Sequence, residues 1–183
     1  MTTFFTHKGK DILNTAIRLY YAHGFNSVGI DRIILESKVA KMTYYKYYPA
    51  KVNLYEACLN HEIKVIQTDL MSSINVLNED DYVGRIKNLF SWFYTITHIP
   101  SYNGMLYQKA KTELSNPSCL EIIDNYYNWL DQLIFELFSK ANVSQPNSKT
   151  RVAIAFIDGM VQTPNRLSYV DLNVFLNTFI FHL

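Results

Sequence analysis

The sequence predicts an all-α protein, and three observations predict it. Apolar residues recur at three- and four-residue spacing along most of the chain. No run alternates with the period of two that a half-buried strand needs. Polar breaks rich in Gly, Pro, Asn and Asp separate the periodic stretches. With 183 residues, 49% apolar and 15% aromatic, the chain has ample material for a core. It shows no internal repeat.

Each element follows from its pattern. Ile12, Leu13, Ala16, Ile17, Leu19 and Tyr20 form one stripe on a helix over residues 7–22. His23-Gly24 ends it, with Gly24 as the left-handed C-cap, and Phe25 turns back to the core. A short helix over residues 30–37 points Ile30, Ile33 and Ile34 inward, with Gly29 as its N-cap. A turn at Lys38-Val39 leads into a second short helix over residues 41–47, which Pro49 stops. Three helices of these lengths, with a short turn between the last two, make a helix-turn-helix unit.

A long helix over residues 51–76 carries Leu54, Ala57, Cys58, His61, Val65 and Leu70 on its expected apolar stripe. Asn78 to Asp81 cap a helix over residues 82–98. Further helices are expected over residues 104–114, 119–140, 150–162 and 170–181, with a polar loop over 142–149. The last two are apolar almost all round, through Ile154, Phe156, Ile157, Met160 and Val161, then Leu172, Phe175, Leu176, Phe179 and Ile180. Such a pair must bury both sides, and a two-fold dimer does so most simply. Phe156, Met160, Leu172, Phe175 and Phe179 are the expected dimer contacts.

Charge is distributed unevenly. Residues 1–51 hold eight Lys/Arg and three acids, whereas residues 52–183 hold nine basic and thirteen acidic residues. A basic head on an acidic body is the footprint of a nucleic-acid binder with a separate second function. The segment KVAKMTYYKYYPAK over residues 38–51 sharpens this. It has too little apolar surface for a core helix but carries Lys, Thr and Tyr, all donors to phosphate. The helix after Pro49 adds the positive end of its dipole beside Lys51.

Other classes are disfavoured. There is no Gly-rich phosphate loop and no H-E-x-x-H, and His7, His23, His61, His98 and His182 are scattered without ligand spacing. No enzyme activity, metal or cofactor is expected. Cys58 and Cys119 show no metal pattern and fit either two free thiols of a reducing cytosol or one disulfide. The start, MTTFFTHKGK, lacks the apolar run of a signal peptide, and no run reaches the ~18 apolar residues of a membrane span. A cytoplasmic protein without membrane contact is expected.

At this point the chain resembles the TetR family of bacterial transcription regulators, over residues 10–58. Ile12, Leu13, Ala16, Leu19, Tyr20, Gly24-Phe25, Ile30, Ile33, Val39, Lys41, Thr43, Tyr45, Tyr48-Pro49, Lys51 and Leu54 carry the resemblance. It implies a helix-turn-helix DNA-binding head over residues 1–50, joined by a long helix to a larger helical ligand-binding and dimerisation domain over residues 51–183. Carried over by position, Lys41, Thr43, Tyr45, Tyr47 and Lys51 match family positions that touch DNA. Tyr45, Tyr47 and Lys51 would hold phosphates. Met42, Thr43 and Lys46 are candidates to face base edges, Met42 at a thymine methyl and Lys46 at guanine O6 or N7. Tyr44 and Tyr48 should face the head's own core. The chain departs from the family at Gly29 (usually Ser or Thr), Ile34 (usually a small Ala), Lys38 (usually Gly), Ala40 (usually Ser) and Met42 (usually Gly).

The expected function is a ligand-responsive regulator, a repressor, that binds double-stranded palindromic DNA as a homodimer. A small apolar or aromatic effector releases it. His61, Trp92, His98, Tyr107, Gln108, Tyr126 and Trp129 are the candidate effector contacts, because aromatics with a few polar groups make the usual helical pocket. The alternative is a helical ligand-binding or interaction protein whose head binds DNA without specificity; the departures at Ile34 and Lys38 motivate it.

Overall fold

The structure, a computed structural model, describes residues 7–181; residues 1–6 and 182–183, His182 among them, lie outside the described residues. It is helical throughout: α1 (His7–His23), α2 (Ile30–Ser37), α3 (Lys41–Tyr47), α4 (Lys51–Ile74), α5 (Tyr82–Thr97), α6 (Leu106–Glu113), α7 (Pro117–Lys140), α8 (Pro146–Gln162) and α9 (Tyr169–Val174). A π-helix, Phe175–Phe181, continues α9, where the periodicity predicts a plain α-helix. Several other helix ends shift by a few residues from expectation, the start of α8 most. The loop over residues 142–149 gives way at Pro146 to the first turn of α8, because proline at N1 loses no intrahelical hydrogen bond and has its φ preset. Among the described residues, no helix is long and apolar enough to cross a membrane.

The chain packs as two compact units. The first holds Met1–Lys64 with Met105–Asp124, the second Val65–Gly104 with Asn125–Leu183. The start of α4, with α6 and the first residues of α7, belongs to the same unit as α1, α2 and α3.

In the first unit α1 packs on α2, α3 and α6. Ile12, Ala16, Leu19 and Tyr20 of α1, Ile33 of α2, Tyr44 of α3 and Leu54, Tyr55 and Cys58 of α4 are all buried. Phe25 stacks on Tyr20 at 4.6 Å between ring centroids and meets the Tyr55 ring edge-on at 5.2 Å. Such pairs add roughly 0.5–1.5 kcal/mol each beyond the area they bury. Gly24 supplies the positive φ of 78° that ends α1. A Cβ there would also lie 2.5 Å from a Glu113 carboxylate oxygen, the movable end of a side chain, so the positive φ is what requires glycine.

In the second unit α5 packs on α8 and α9. Asp81 caps α5 by accepting the Gly84 N–H at 2.8 Å. Phe156 and Phe175 stack face to face at 3.9 Å, and Phe90 and Phe179 each lie 5.5 Å from the Phe175 ring. Lys149 is buried at the start of α8, where its Nζ donates to the Ile180 carbonyl at 2.7 Å and ties down the C-terminal π-helix. Burial pushes this ammonium below its usual pKa range.

Candidate nucleic-acid interface

Helix α3 is short and two-sided, and its two sides differ chemically. Tyr44 is fully buried and Tyr48, its C-cap, nearly so, the latter donating to the Gly9 carbonyl at 3.3 Å. Removal from water pushes the Tyr44 phenol up to about 12, so it stays neutral. The opposite side presents Lys41, Met42, Tyr45 and Lys46, all exposed, with Met42 at 84%. Thr43, Tyr47 and Lys51 are half-buried at its margins. The candidate DNA residues thus share one outward face or its edges. Leu35 of α2, 76% exposed, is a further outward apolar residue of the head that the sequence pattern does not single out.

The caps explain how α3 is presented despite its unusual residues. Lys38 adopts the left-handed conformation, φ 56° and ψ 34°, as the C-cap of α2. Its N–H and that of Val39 bond to the carbonyls of Leu35 and Ile34 at 3.3 and 3.4 Å. Ala40 is the extended N-cap of α3 and contributes no side-chain hydrogen bond. Where the family has Gly and Ser, this chain forms the turn with the backbone alone.

Not every cation of the basic head is available to DNA. Glu36 accepts from Arg18 at 2.6 Å and Arg32 at 2.8 Å, and these two partners hold its carboxyl below the usual range. Arg32 also reaches His23 at 3.0 Å. Lys41 lies 3.7 Å from Asp31. Lys51 donates to the Phe25 carbonyl at 3.4 Å and sits over the Tyr55 ring, which anchors its stem while leaving donors to spare. Lys8, Lys38 and Lys46 have no carboxylate partner among the described residues.

The candidate effector residues are placed less coherently. His61 is exposed and does not lie on the apolar stripe of α4, nor do Ala57 and the half-exposed Val65. The stripe runs Cys58, Glu62, Ile66, Leu70, Ile74, one residue further on, and reading through the charged Glu62 would have shown it. His61 is therefore a surface residue. His98 stacks on Tyr94, and its ring nitrogens face the Tyr94 and Leu167 carbonyls at 2.7 and 3.0 Å, so it fastens the end of α5. Tyr107 is buried and Gln108 half-buried in the first unit. Tyr126 is buried in the second unit, 6.1 Å from Trp129, where Trp92 is half-exposed. A cleft of about 470 Å³ at Asn75, Leu77, Glu79, Tyr82, Arg85 and Lys140 contains none of these residues. Among the dimer candidates, Met160 and Leu172 are 2% and 0% exposed: they are spent inside the protomer and cannot meet a partner. Phe156 and Phe175 are half-buried, and Phe179 is exposed.

Glu62 is what sequence reasoning missed. It is 6% exposed, and its carboxylate accepts the N–H groups of Leu106 at 2.6 Å and Tyr107 at 2.9 Å and the Tyr21 hydroxyl at 2.5 Å. It satisfies the open N-terminus of α6. Burial pushes this carboxyl up, against the opposing pull of the three donors. Lys109 donates to the Tyr21 carbonyl at 2.8 Å, and Glu113 accepts the Asn26 N–H at 3.0 Å. Helix α6 is thus fastened to α1, α4 and the α1–α2 turn by side chains at both its ends.

Residues 12–58 match the family model described as bacterial regulatory proteins, tetR family. Over this head the chain is therefore similar to the TetR family. Over 54 residues the chain is 37% identical to the uncharacterized HTH-type transcriptional regulator YuxN of Bacillus subtilis (strain 168); the match covers 30% of this chain and 19% of that relative. The fold match extends much further. A TetR-family transcriptional regulator from Streptomyces coelicolor, SCO4454, superposes with TM-score 0.82 at 20% identity, over 94% of this chain and 86% of that one. The reduced form of E. coli NemR gives 0.80 at 17%, over 97% and 100%. AibR in complex with isovaleryl coenzyme A and operator DNA gives 0.72 at 16%, over 96% and 99%. These neighbours share the TetR architecture of a helix-turn-helix head and a larger helical domain. Among the described residues, no group of three His, Cys, Asp or Glu could hold a metal ion.

Proposed function

We propose that this chain is a cytoplasmic, homodimeric repressor of the TetR family that binds a palindromic operator and leaves it when a small apolar or aromatic effector binds. Residues 1–50 read DNA and residues 51–183 sense and dimerise. The observation that carries this reading is the outward face of α3, where Lys41, Met42, Tyr45 and Lys46 are exposed while Tyr44 holds the helix to its core. Tyr45, Tyr47 and Lys51 hold phosphates, and Met42, Thr43 and Lys46 address base edges in the major groove.

A dimer is supported by one face of α8. Val152, Ala155 and Gly159 are exposed, and a Cβ added at Gly159 would meet nothing within 4 Å. With the half-buried Phe156 and Phe175 and the exposed Phe179 they offer an apolar surface to a second copy. Two heads on such a dimer address half-sites about one helical turn apart, ~34–36 Å. Effector binding is supported by the isovaleryl coenzyme A bound to a fold neighbour and, within the second unit, by the half-exposed Trp92 and Trp129. The effector acts only through a preference for the conformer that does not hold operator; equal affinity for both conformers would shift nothing.

Fluorescence anisotropy with duplexes selected from a random pool tests the reading. Lys51→Ala weakens binding to every sequence, whereas Lys46→Ala relaxes preference at one position in each half-site. Unchanged affinity in both variants would remove α3 and the start of α4 from the interface.

A further inference from the structure

Lys38 is the residue the fold explains least. A left-handed C-cap favours Gly, and sometimes Asn, because a Cβ is strained at positive φ. Here a lysine sits at φ 56° with its side chain exposed and without a carboxylate partner among the described residues. The hydrogen bonds of the cap come from backbone N–H groups, so glycine would make them equally well. A strained backbone residue that contributes nothing to the cap is a pointer to function.

Its surroundings show which function. Lys38 lines a surface cleft of about 460 Å³ together with Lys8, Asp11, Asn14 and Thr15 of α1 and Glu36, Ser37 and Val39. The cleft ends at Val39, two residues before α3 begins. Of its two carboxylates, Glu36 is shared by Arg18 and Arg32, and Asp11 lies 3.1 Å from the His7 imidazole. The cations at the rim are the Lys8 and Lys38 ammoniums, with Asn14, Thr15 and Ser37 as neutral hydrogen-bonding groups.

We infer that this cleft is a second phosphate site, in which Lys38 and Lys8 grip the DNA backbone beside the groove that α3 enters. The inference rests on the proposed operator binding and extends it to residues outside the recognition helix. The site fixes register and adds affinity without reading bases. It also gives the unusual turn a purpose: the chain accepts strain at residue 38 to place an ammonium at the edge of the interface.

The test is the salt dependence of binding to duplexes selected from a random pool, for wild type, Lys8→Gln, Lys38→Gly and, as a charge control in the second unit, Lys140→Gln. Removing one lysine–phosphate pair lowers the slope of log K against log salt by about 0.9, and a dimer on two half-sites shows twice that drop. Lys8→Gln and Lys38→Gly each show it; Lys140→Gln keeps the wild-type slope. Lys38→Gly also unfolds at the same or a higher temperature, since glycine relieves the cap. Specific binding with unchanged slopes in both cleft variants overturns the site. So does a weaker affinity in Lys38→Gly that tracks a lower unfolding temperature, because that is a structural role. A wild-type protein that selects no duplex overturns the operator reading itself, and the site with it.

Discussion

Glu62 shows what one residue decides in this chain. Its carboxylate satisfies two backbone donors of α6 and one phenol, so Glu62→Ala leaves buried donors without a partner and costs about 1–3 kcal/mol, read from chemical denaturation. Two carboxyls of the first unit also titrate in opposite senses. Glu36 has a depressed native pKa, so its contribution is present above the ordinary value of 4.5 and is lost as pH falls through the native one. Glu62 has a raised native pKa, so its contribution is fully present below 4.5 and is lost as pH rises through the native value. Glu36→Gln should therefore flatten the acid limb of a stability–pH curve, and Glu62→Gln the limb above 4.5. Either variant retaining the wild-type limb would misplace that carboxyl. Charge type hid Glu62. A glutamate on a helix reads as solvated until the donors it satisfies are known, and the two backbone donors come from residues 44 and 45 positions away.

At the scale of elements, the helix-turn-helix was legible because its signals are local. Gly24, Pro49 and the apolar spacing of α1 act within a few residues of themselves. The C-terminal end was less so: nothing in the pattern of residues 170–181 distinguishes a π-helix from an α-helix, since the tie from Lys149 to Ile180 is non-local. The start of α9 has a local device. Ser168 accepts the Asp171 N–H, while Asp171 accepts from the Ser168 backbone and hydroxyl, which holds its carboxyl below the usual range. Ser168→Ala should cost about 1 kcal/mol by thermal unfolding. No loss of stability would mean that α9 is held by Leu172 packing alone.

For the whole molecule, the all-α class was legible from periodicity, while the basic stretch over residues 1–51 and the acidic remainder are properties of the sequence itself and not of the packing units. Which aromatics line an effector site was not. Tyr107, Tyr126 and His98 are spent on packing and hydrogen bonds, and sequence spacing cannot separate a pocket wall from a core. Of the residues expected at a dimer contact, Met160 and Leu172 turn inward, while Ala155 and Gly159 of the proposed face turn out. Gly159→Leu, whose Cβ meets nothing within 4 Å in its own protomer, should clash with a second copy and shift the protein to monomer in sedimentation equilibrium. A variant that stays dimeric would move the interface off α8.

Specific duplex recognition by the head is open to measurement by selection from a random pool at a fixed salt of about 150 mM, followed by gel shift. One inverted repeat should be enriched and bound at least ~10³-fold tighter than random DNA. A pool that returns no shared sequence, with all duplexes bound alike, would contradict it.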